Sequence, residues 1–214
     1  MAPAAIILIR SHNANPTATS TLGAPAGSAS PSAAVPLYAN EAARVQACEA
    51  EPLANQTALT QPTQADTEKY GLNPNWARYV DSSRFVIFMP GSWVTSRIGT
   101  LVCFRDTTSV KAAAVYSHGN VAGNPVDLIA NTRAWEAAAN MADFQKFNIV
   151  NRDYPEGAAD LEYTYMQGNV KMHGVNRLLR LKGQLYTIYY LATDVDWPSD
   201  RGLKDIIQPS FTLA

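Results

Sequence analysis

Charge is missing from a long early stretch of this chain. Between Ser11 and Asn40 there is no Asp, Glu, Lys or Arg, and nearly every residue is Ala, Pro, Ser, Thr, Gly or Asn. Such a stretch has little apolar surface to bury and nothing to offset the entropy of ordering its backbone. It reads as a disordered N-terminal tether. A basic excess is missing too. The 214 residues carry 17 basic and 18 acidic side chains, a net charge of -1, which argues against nucleic acid as a partner. Cysteine is scarce. Cys48 and Cys103 are too few for a disulfide framework and too far apart for a zinc knuckle. Cys103 sits in the strand-like run Leu101-Val102-Cys103-Phe104 and reads as a small buried hydrophobe, with a bridge to Cys48 in an oxidising compartment left open.

Histidine is equally sparse, at His12, His118 and His173. His12 falls in the tether and His118 in what reads as a turn, so no chelating spacing exists and neither a metal nor a cofactor is expected. The chain has no Gly-x-Ser-x-Gly elbow and no glycine-rich phosphate cradle, which removes the usual signatures of a serine hydrolase and of a nucleotide site. No apolar run approaches the roughly 20 residues that cross a bilayer as a helix. Ala4 to Ile9, followed by Arg10, is either the end of a membrane helix whose first half precedes this sequence or a chance apolar hexamer.

What is present divides at Asn73-Pro74-Asn75, a turn sequence and a natural boundary. Residues 1–74 form the tether, with a short helix expected over Ala42 to Ala50. Residues 75–214 form the folded domain. Strands are expected over Arg84–Met89, Ile98–Phe104 and Val110–Tyr116, joined by short links that favour antiparallel neighbours. A helix follows, with Asn124 as N-cap, Pro125 in its first turn and Asp127 complementing the dipole. Its stripe of Leu128, Thr132, Trp135, Ala139 and Ala142, with Phe144 near the end, requires a sheet to lie on, and Trp135 is its core anchor.

Strands then return. Phe147–Asn151 is short, and Asp160–Tyr165 alternates, with Leu161, Tyr163 and Tyr165 on one face. Gln167-Gly168-Asn169 and Lys182-Gly183-Gln184 are hairpin turns joining this strand to Val170–Leu181 and Leu185–Leu191 as an antiparallel meander. Asp196-Trp197-Pro198 punctuates, and Ser199 or Asp200 caps a last helix through Ile207. Three strands, a helix, a meander and a helix make a parallel doubly wound sheet unfavourable. The fold class expected is α+β, a central antiparallel β-sheet sandwiched by helices.

Candidate sites are few. Tyr163, Tyr165, Tyr186 and Tyr190, rimmed by Arg177, could form an aromatic recognition surface, or simply cover the sheet beneath a helix. Arg177, Arg180 and Lys182 otherwise read as an exposed charged strand that blocks edge pairing. A small enzyme would need a pocket holding Asp160 or Glu162 as base, with His173 as partner. No catalytic residue is assigned.

The stretch from Phe85 to Phe211 resembles the PsbP-like (Mog1/PsbP-like) domains. The residues that carry the resemblance are Pro90 to Trp93, Phe104-Arg105-Asp106, the helix from Pro125, and Asp160 to Tyr165 followed by His173 to Arg177. Tyr186 to Tyr190, Asp196-Trp197 and Ser210-Phe211 complete it. Domains of this family lie outside the membrane in actinobacteria, often behind a Ser/Thr protein kinase domain, a membrane helix and a Pro/Ala/Thr-rich linker. The resemblance implies a Mog1/PsbP-like α/β/α fold and a sensing, binding or scaffolding role with no shared catalytic residues. It also implies an extracytoplasmic location, tethered or secreted, in a cell-envelope or signalling system, with a protein or small envelope ligand as partner. The membrane is a partner only through an N-terminal anchor. This chain has no kinase catalytic loop, Asp-Phe-Gly or glycine-rich loop of its own. The alternatives are a small enzyme and a purely structural protein–protein adaptor.

Overall fold

The computed structural model describes Cys48, residues 59–120 and residues 128–214. The tether, His12 and the expected cap at Asn124, Pro125 and Asp127 lie outside the described residues; of the short helix expected over Ala42 to Ala50, Cys48 alone is described, and it is helical.

Beyond Cys48, the described residues form ten strands and three helices, in the order α1 (Gln64–Tyr70), β1 (Trp76–Val80), β2 (Phe85–Pro90), β3 (Val94–Ile98), β4 (Leu101–Arg105), β5 (Ala112–Asn120), α2 (Leu128–Ala138), β6 (Ala142–Arg152), β7 (Ala158–Gln167), β8 (Val170–Leu181), β9 (Gln184–Thr193), α3 (Trp197–Ile207) and β10 (Thr212–Leu213). Seven strands make one sheet in the order β3-β4-β5-β9-β8-β7-β6, and three make a second in the order β1-β2-β10. Every pairing is antiparallel. The expected meander is the heart of the large sheet, because β8 pairs with β7 on one side and β9 on the other along nearly its whole length.

Both faces of the large sheet are covered, which explains why its central strands are buried almost without alternation. On one face Val102, Phe104, Val115, Tyr186, Ile188 and Tyr190 pack with the small sheet, through Tyr79, Phe85 and Phe88, and with Ile207 of α3. On the other face Leu101, Cys103, Leu161, Tyr163, Tyr165, Tyr189 and Leu191 pack with Trp135 of α2 and with Cys48. Trp135 is buried against Tyr163 at 5.2 Å between ring centroids, the core anchor it was expected to be.

Several local expectations need correction. The helix ends at Ala138, so Ala142 and Phe144 belong to β6, an edge strand of eleven residues. Helix propensity in the Ala-rich run is outweighed there by pairing along β7, from Ala142 opposite Met166 to Arg152 opposite Ala158. Ile98–Phe104 is not one strand. β3 turns at Gly99, with φ +61°, and comes back as β4. β1 lies where the sequence pattern predicts no strand. His118 lies within β5 rather than a turn. α3 begins at Trp197 with Asp196 as its N-cap residue, three positions before Ser199, the earlier of the two expected caps, and the Ser199 hydroxyl donates to the Asp196 carbonyl. Residues 59–74, read as tether, include a capping box between Thr63 and Asp66, a Gly71 C-cap at φ +64°, and the core residue Leu72. Tyr70 lies against Phe88, and Thr60 bridges to Arg78 of β1.

Candidate functional site

The four tyrosines of the expected surface are all buried, and they do not share a face. Tyr163 pairs across to Gly174, which pairs across to Leu191, so these three residues point the same way. Tyr186 and Tyr190 have the parity opposite to Leu191 and therefore point into the other core. The Tyr163 hydroxyl donates to Asn176 Oδ1 at 3.0 Å, and that of Tyr190 to the Asp200 carbonyl at 3.1 Å. Burial pushes the Tyr190 phenol well above its ordinary value. These side chains build two cores rather than one recognition surface.

Arg177 is not on an exposed edge either, since β8 is an interior strand. Its guanidinium grips Asp160 with two bonds, Nε to Oδ1 at 2.7 Å and Nη2 to Oδ2 at 2.9 Å, and Nη1 donates to the Tyr154 hydroxyl at 3.1 Å. Arg152 adds a bond from Nε to Asp160 Oδ2 at 2.6 Å. Burial works against the Arg177 charge, but the hydrogen bond and charge of Asp160, with Tyr154, outweigh it and raise its pKa. Asp160 therefore serves two arginines, and the His173 nitrogens bond elsewhere. Of the other two cations in that run, Arg180 reaches back to the Gly183 carbonyl, and Lys182 sits in the β8–β9 turn.

The densest polar cluster centres on His173. Its Nε2 lies 2.9 Å from Glu162 Oε1 on β7, and its Nδ1 lies 3.0 Å from Asp194 Oδ1 in the β9–α3 turn. Lys171 reaches the other Asp194 oxygen at 3.0 Å. The hydrogen bond from His173, with Lys171 adding to it, holds the Asp194 carboxyl below its ordinary value despite partial burial. Both ring faces are covered: the Trp197 indole stacks at 3.8 Å and 7°, and Phe147 of β6 at 5.3 Å and 6°. Each ring nitrogen thus lies within hydrogen-bond distance of a different carboxylate. The contact between Glu162 and His173 that an acid–base pair would need exists, yet both nitrogens and both faces of the ring are engaged. The arrangement ties α3 to the sheet and leaves the His173 side chain largely buried.

Sequence reasoning missed this cluster except for the Glu162–His173 pair. The register carried the signal, because Thr164 lies opposite His173 and Glu162 alternates with Thr164 onto the same face. The bridge that the sequence leaves open is formed. Cys48 and Cys103 are joined by a disulfide with their Cα atoms 5.6 Å apart, so Cys103 is buried as half of a cystine. Two clefts lie elsewhere. One of about 500 Å³ is lined by residues that include Leu59, Trp76 and Pro90, and one of about 390 Å³ lies between two hairpin turns; neither is lined by His173, Glu162, Asp160 or Arg177. Among the described residues no group of three His, Cys, Asp or Glu side chains could hold a metal ion, and no helix is long and apolar enough to cross a membrane.

No protein-family model and no curated sequence matches the chain. Solved structures do. The chain superimposes on PsbP of the cyanobacterium Synechocystis with a TM-score of 0.53 and 18% identity, covering 65% of this chain and 93% of that one. The Ran-binding protein Mog1p of Saccharomyces cerevisiae gives 0.48 and 7%, over 65% and 95% of the two chains. LpqN of Mycobacterium tuberculosis, a protein involved in cell envelope biogenesis, gives 0.45 and 11%, over 72% and 98%. The antiparallel sheets and their helices thus take up the fold of PsbP.

Proposed function

We propose that this chain is a non-catalytic binding or scaffolding domain that works outside the cytoplasm, as part of a cell-envelope or kinase-linked signalling system. The observation that carries this reading is the Cys48–Cys103 disulfide, buried in the core beneath the large sheet. Disulfides of this kind persist where the surroundings are oxidising and are rare where thiol buffers keep cysteines reduced. The fold of PsbP fits the reading without assigning a ligand. The absence of catalysis is supported by His173, whose ring is enclosed by two carboxylates and two aromatic side chains. In this reading the N-terminal residues connect the domain to the envelope and the folded part meets a protein or small envelope ligand.

The test is the redox state of the chain in the cells that make it. Cells quenched with an alkylating reagent should yield the chain with neither thiol labelled until a reductant is added. Labelling of both cysteines before reduction would mean a reducing compartment and would overturn the reading.

A further inference from the structure

The cleft of about 390 Å³ lies where the β1–β2 and β8–β9 hairpin turns meet the end of the chain, and Ser83, Arg84, Ser117, Lys182, Gln184, Tyr186, Leu213 and Ala214 line it. Its two charged side chains are both cations; the one anionic group among the lining residues is the α-carboxylate of Ala214, which is ion-paired to neither. No Asp or Glu lines it, and neither Arg84 nor Lys182 has an ion-pair partner among the described residues. The nearby carboxylate of Glu156 is occupied by the turn's backbone, accepting from the Lys182 and Gly183 amides at 2.5 and 3.0 Å.

A second observation points the same way. Among the described residues three that are not glycine adopt positive φ: Arg84 at 68°, Asp143 at 51° and Lys182 at 49°. Asp tolerates that conformation because its short side chain can bond to the nearby backbone, whereas Arg and Lys have no such compensation. Arg84 ends a turn closed by its own amide to the Asp81 carbonyl, a position that glycine usually fills. Lys182 opens the two-residue turn Lys182-Gly183, where Asn before Gly is the common choice. The chain thus puts a long cation at two turn positions where Gly or Asn would fold more cheaply, and both line one cleft. Local backbone strain retained at two sites that converge is the pattern of a ligand clamp.

We propose that this cleft binds a phosphate group, held between the Arg84 guanidinium and the Lys182 ammonium, with Ser117 and Gln184 as neutral donors beside them. The guanidinium offers a planar pair of donors to two phosphate oxygens, and the ammonium supplies a point charge. The buried Tyr186 forms an apolar wall. The site needs neither the compartment nor the signalling role proposed above, and its failure would leave that reading standing. The phosphate could be carried by a small soluble molecule or by a phospholipid headgroup, and the experiment separates the two.

The full chain at low ionic strength is titrated with inorganic phosphate by calorimetry and, separately, floated with vesicles of phosphatidylglycerol, with phosphatidylcholine vesicles as the neutral comparison. The same measurements are made on Arg84→Gly, on Lys182→Asn and on the double variant. Saturable binding of phosphate, or selective flotation with phosphatidylglycerol, is expected for the natural chain. Each single variant should weaken it by about tenfold or more, as expected for loss of one charge-assisted bond. The Tm of each variant should stay level or rise, because the turn is relieved. Phosphate binding alone points to a soluble ligand, flotation alone to a headgroup, and both results support the site. It is overturned if neither probe binds, if the double variant binds as well as the natural chain, or if the variants lose Tm, which would make the two cations part of the fold.

Discussion

The imidazole of His173 lies flat against the indole of Trp197, with ring centroids 3.8 Å apart and planes 7° from parallel. The stack joins β8 to the first residue of α3, and Asp194, in the turn between β9 and that helix, bonds to the same ring. If the ring fastens the helix, His173 and Trp197 act as one unit. Single changes to Ala at each position and the double change, measured by urea unfolding, should give a coupling free energy of about 1 kcal/mol. Additive effects would mean that the rings are neighbours without a joint role.

Acid should weaken the domain in two separate windows. Burial pushes His118 down to about 4, so the unfolded chain binds its proton first as pH falls. The stability tied to a neutral His118 is whole above pH about 6.5 and drains away toward pH 4, by an amount of order 2–3 kcal/mol. Asp194 has a depressed pKa from its bond to His173, so its contribution is present above the ordinary carboxylate range and is lost as pH falls through the lower folded value. His118→Gln should flatten the Tm profile between pH 6.5 and 4 while leaving the steeper acid limb unchanged. A profile identical to the natural chain would remove His118 as the cause.

Gly174 is small because Tyr163 lies on it. A Cβ at this position would stand 2.7 Å from Cζ of Tyr163 and 2.7 Å from Cδ2 of Leu191. Tyr163 cannot yield, since it is enclosed by Trp135, Phe144 and Tyr165. Gly174→Ala should therefore cost about 1–3 kcal/mol in chemical denaturation, despite the higher strand propensity of alanine. The Gly174→Ala, Tyr163→Phe pair tests the cause, because removing the hydroxyl 2.9 Å from the new methyl should recover part of the loss.

The meander was legible because glycine turns marked both of its hairpins and fixed the register between them. The same register decides the tyrosines. Counting residues through two hairpins sends Tyr189, not Tyr190, to the side of Tyr163, so the single aromatic surface could have been rejected from sequence parity. α1 falls in the stretch assigned to the tether, although Thr63-x-x-Asp66 and Gly71 carry its cap signals. β3 was not legible, since Val-Thr-Ser-Arg-Ile has no apolar run and becomes a strand by pairing with β4. Nor was the end of α2, where Ala139 to Phe144 would suit a helix until β7 offers a partner. Contacts of Asp194 and Trp197 with His173 depend on how α3 docks, which no local pattern records.

Asp160 and Arg177 are both almost fully buried and bonded to each other twice. Removing one charge leaves the other without its partner in a poorly solvated place. Arg177→Leu should cost about 3–5 kcal/mol, while Asp160→Leu with Arg177→Leu should cost much less than the sum of the single changes. Arg152 complicates this little, because it is substantially exposed and can return to water. Losses that simply add in the double variant, read from urea unfolding, would show that the pair contributes packing rather than charge complementarity.

Reduction separates what the bridge does for stability from what it says about location. Cys48 and Cys103 close a loop of 55 residues, and a cross-link of that span restricts the unfolded chain by about 4 kcal/mol in the loop-entropy picture. Cys103 is also fastened to strand β4, which pairs on both sides, whereas Cys48 is far from it in sequence. Breaking the bridge should therefore act mainly by freeing the Cys48 segment and leave the sheet folded. The expected result is a Tm lowered by roughly 10 °C in Cys48→Ala with Cys103→Ala, with the far-ultraviolet dichroism of the folded protein unchanged. Loss of the strand signal at room temperature would instead make the bridge a condition of folding, and no change in Tm would show that it restricts nothing in the unfolded chain.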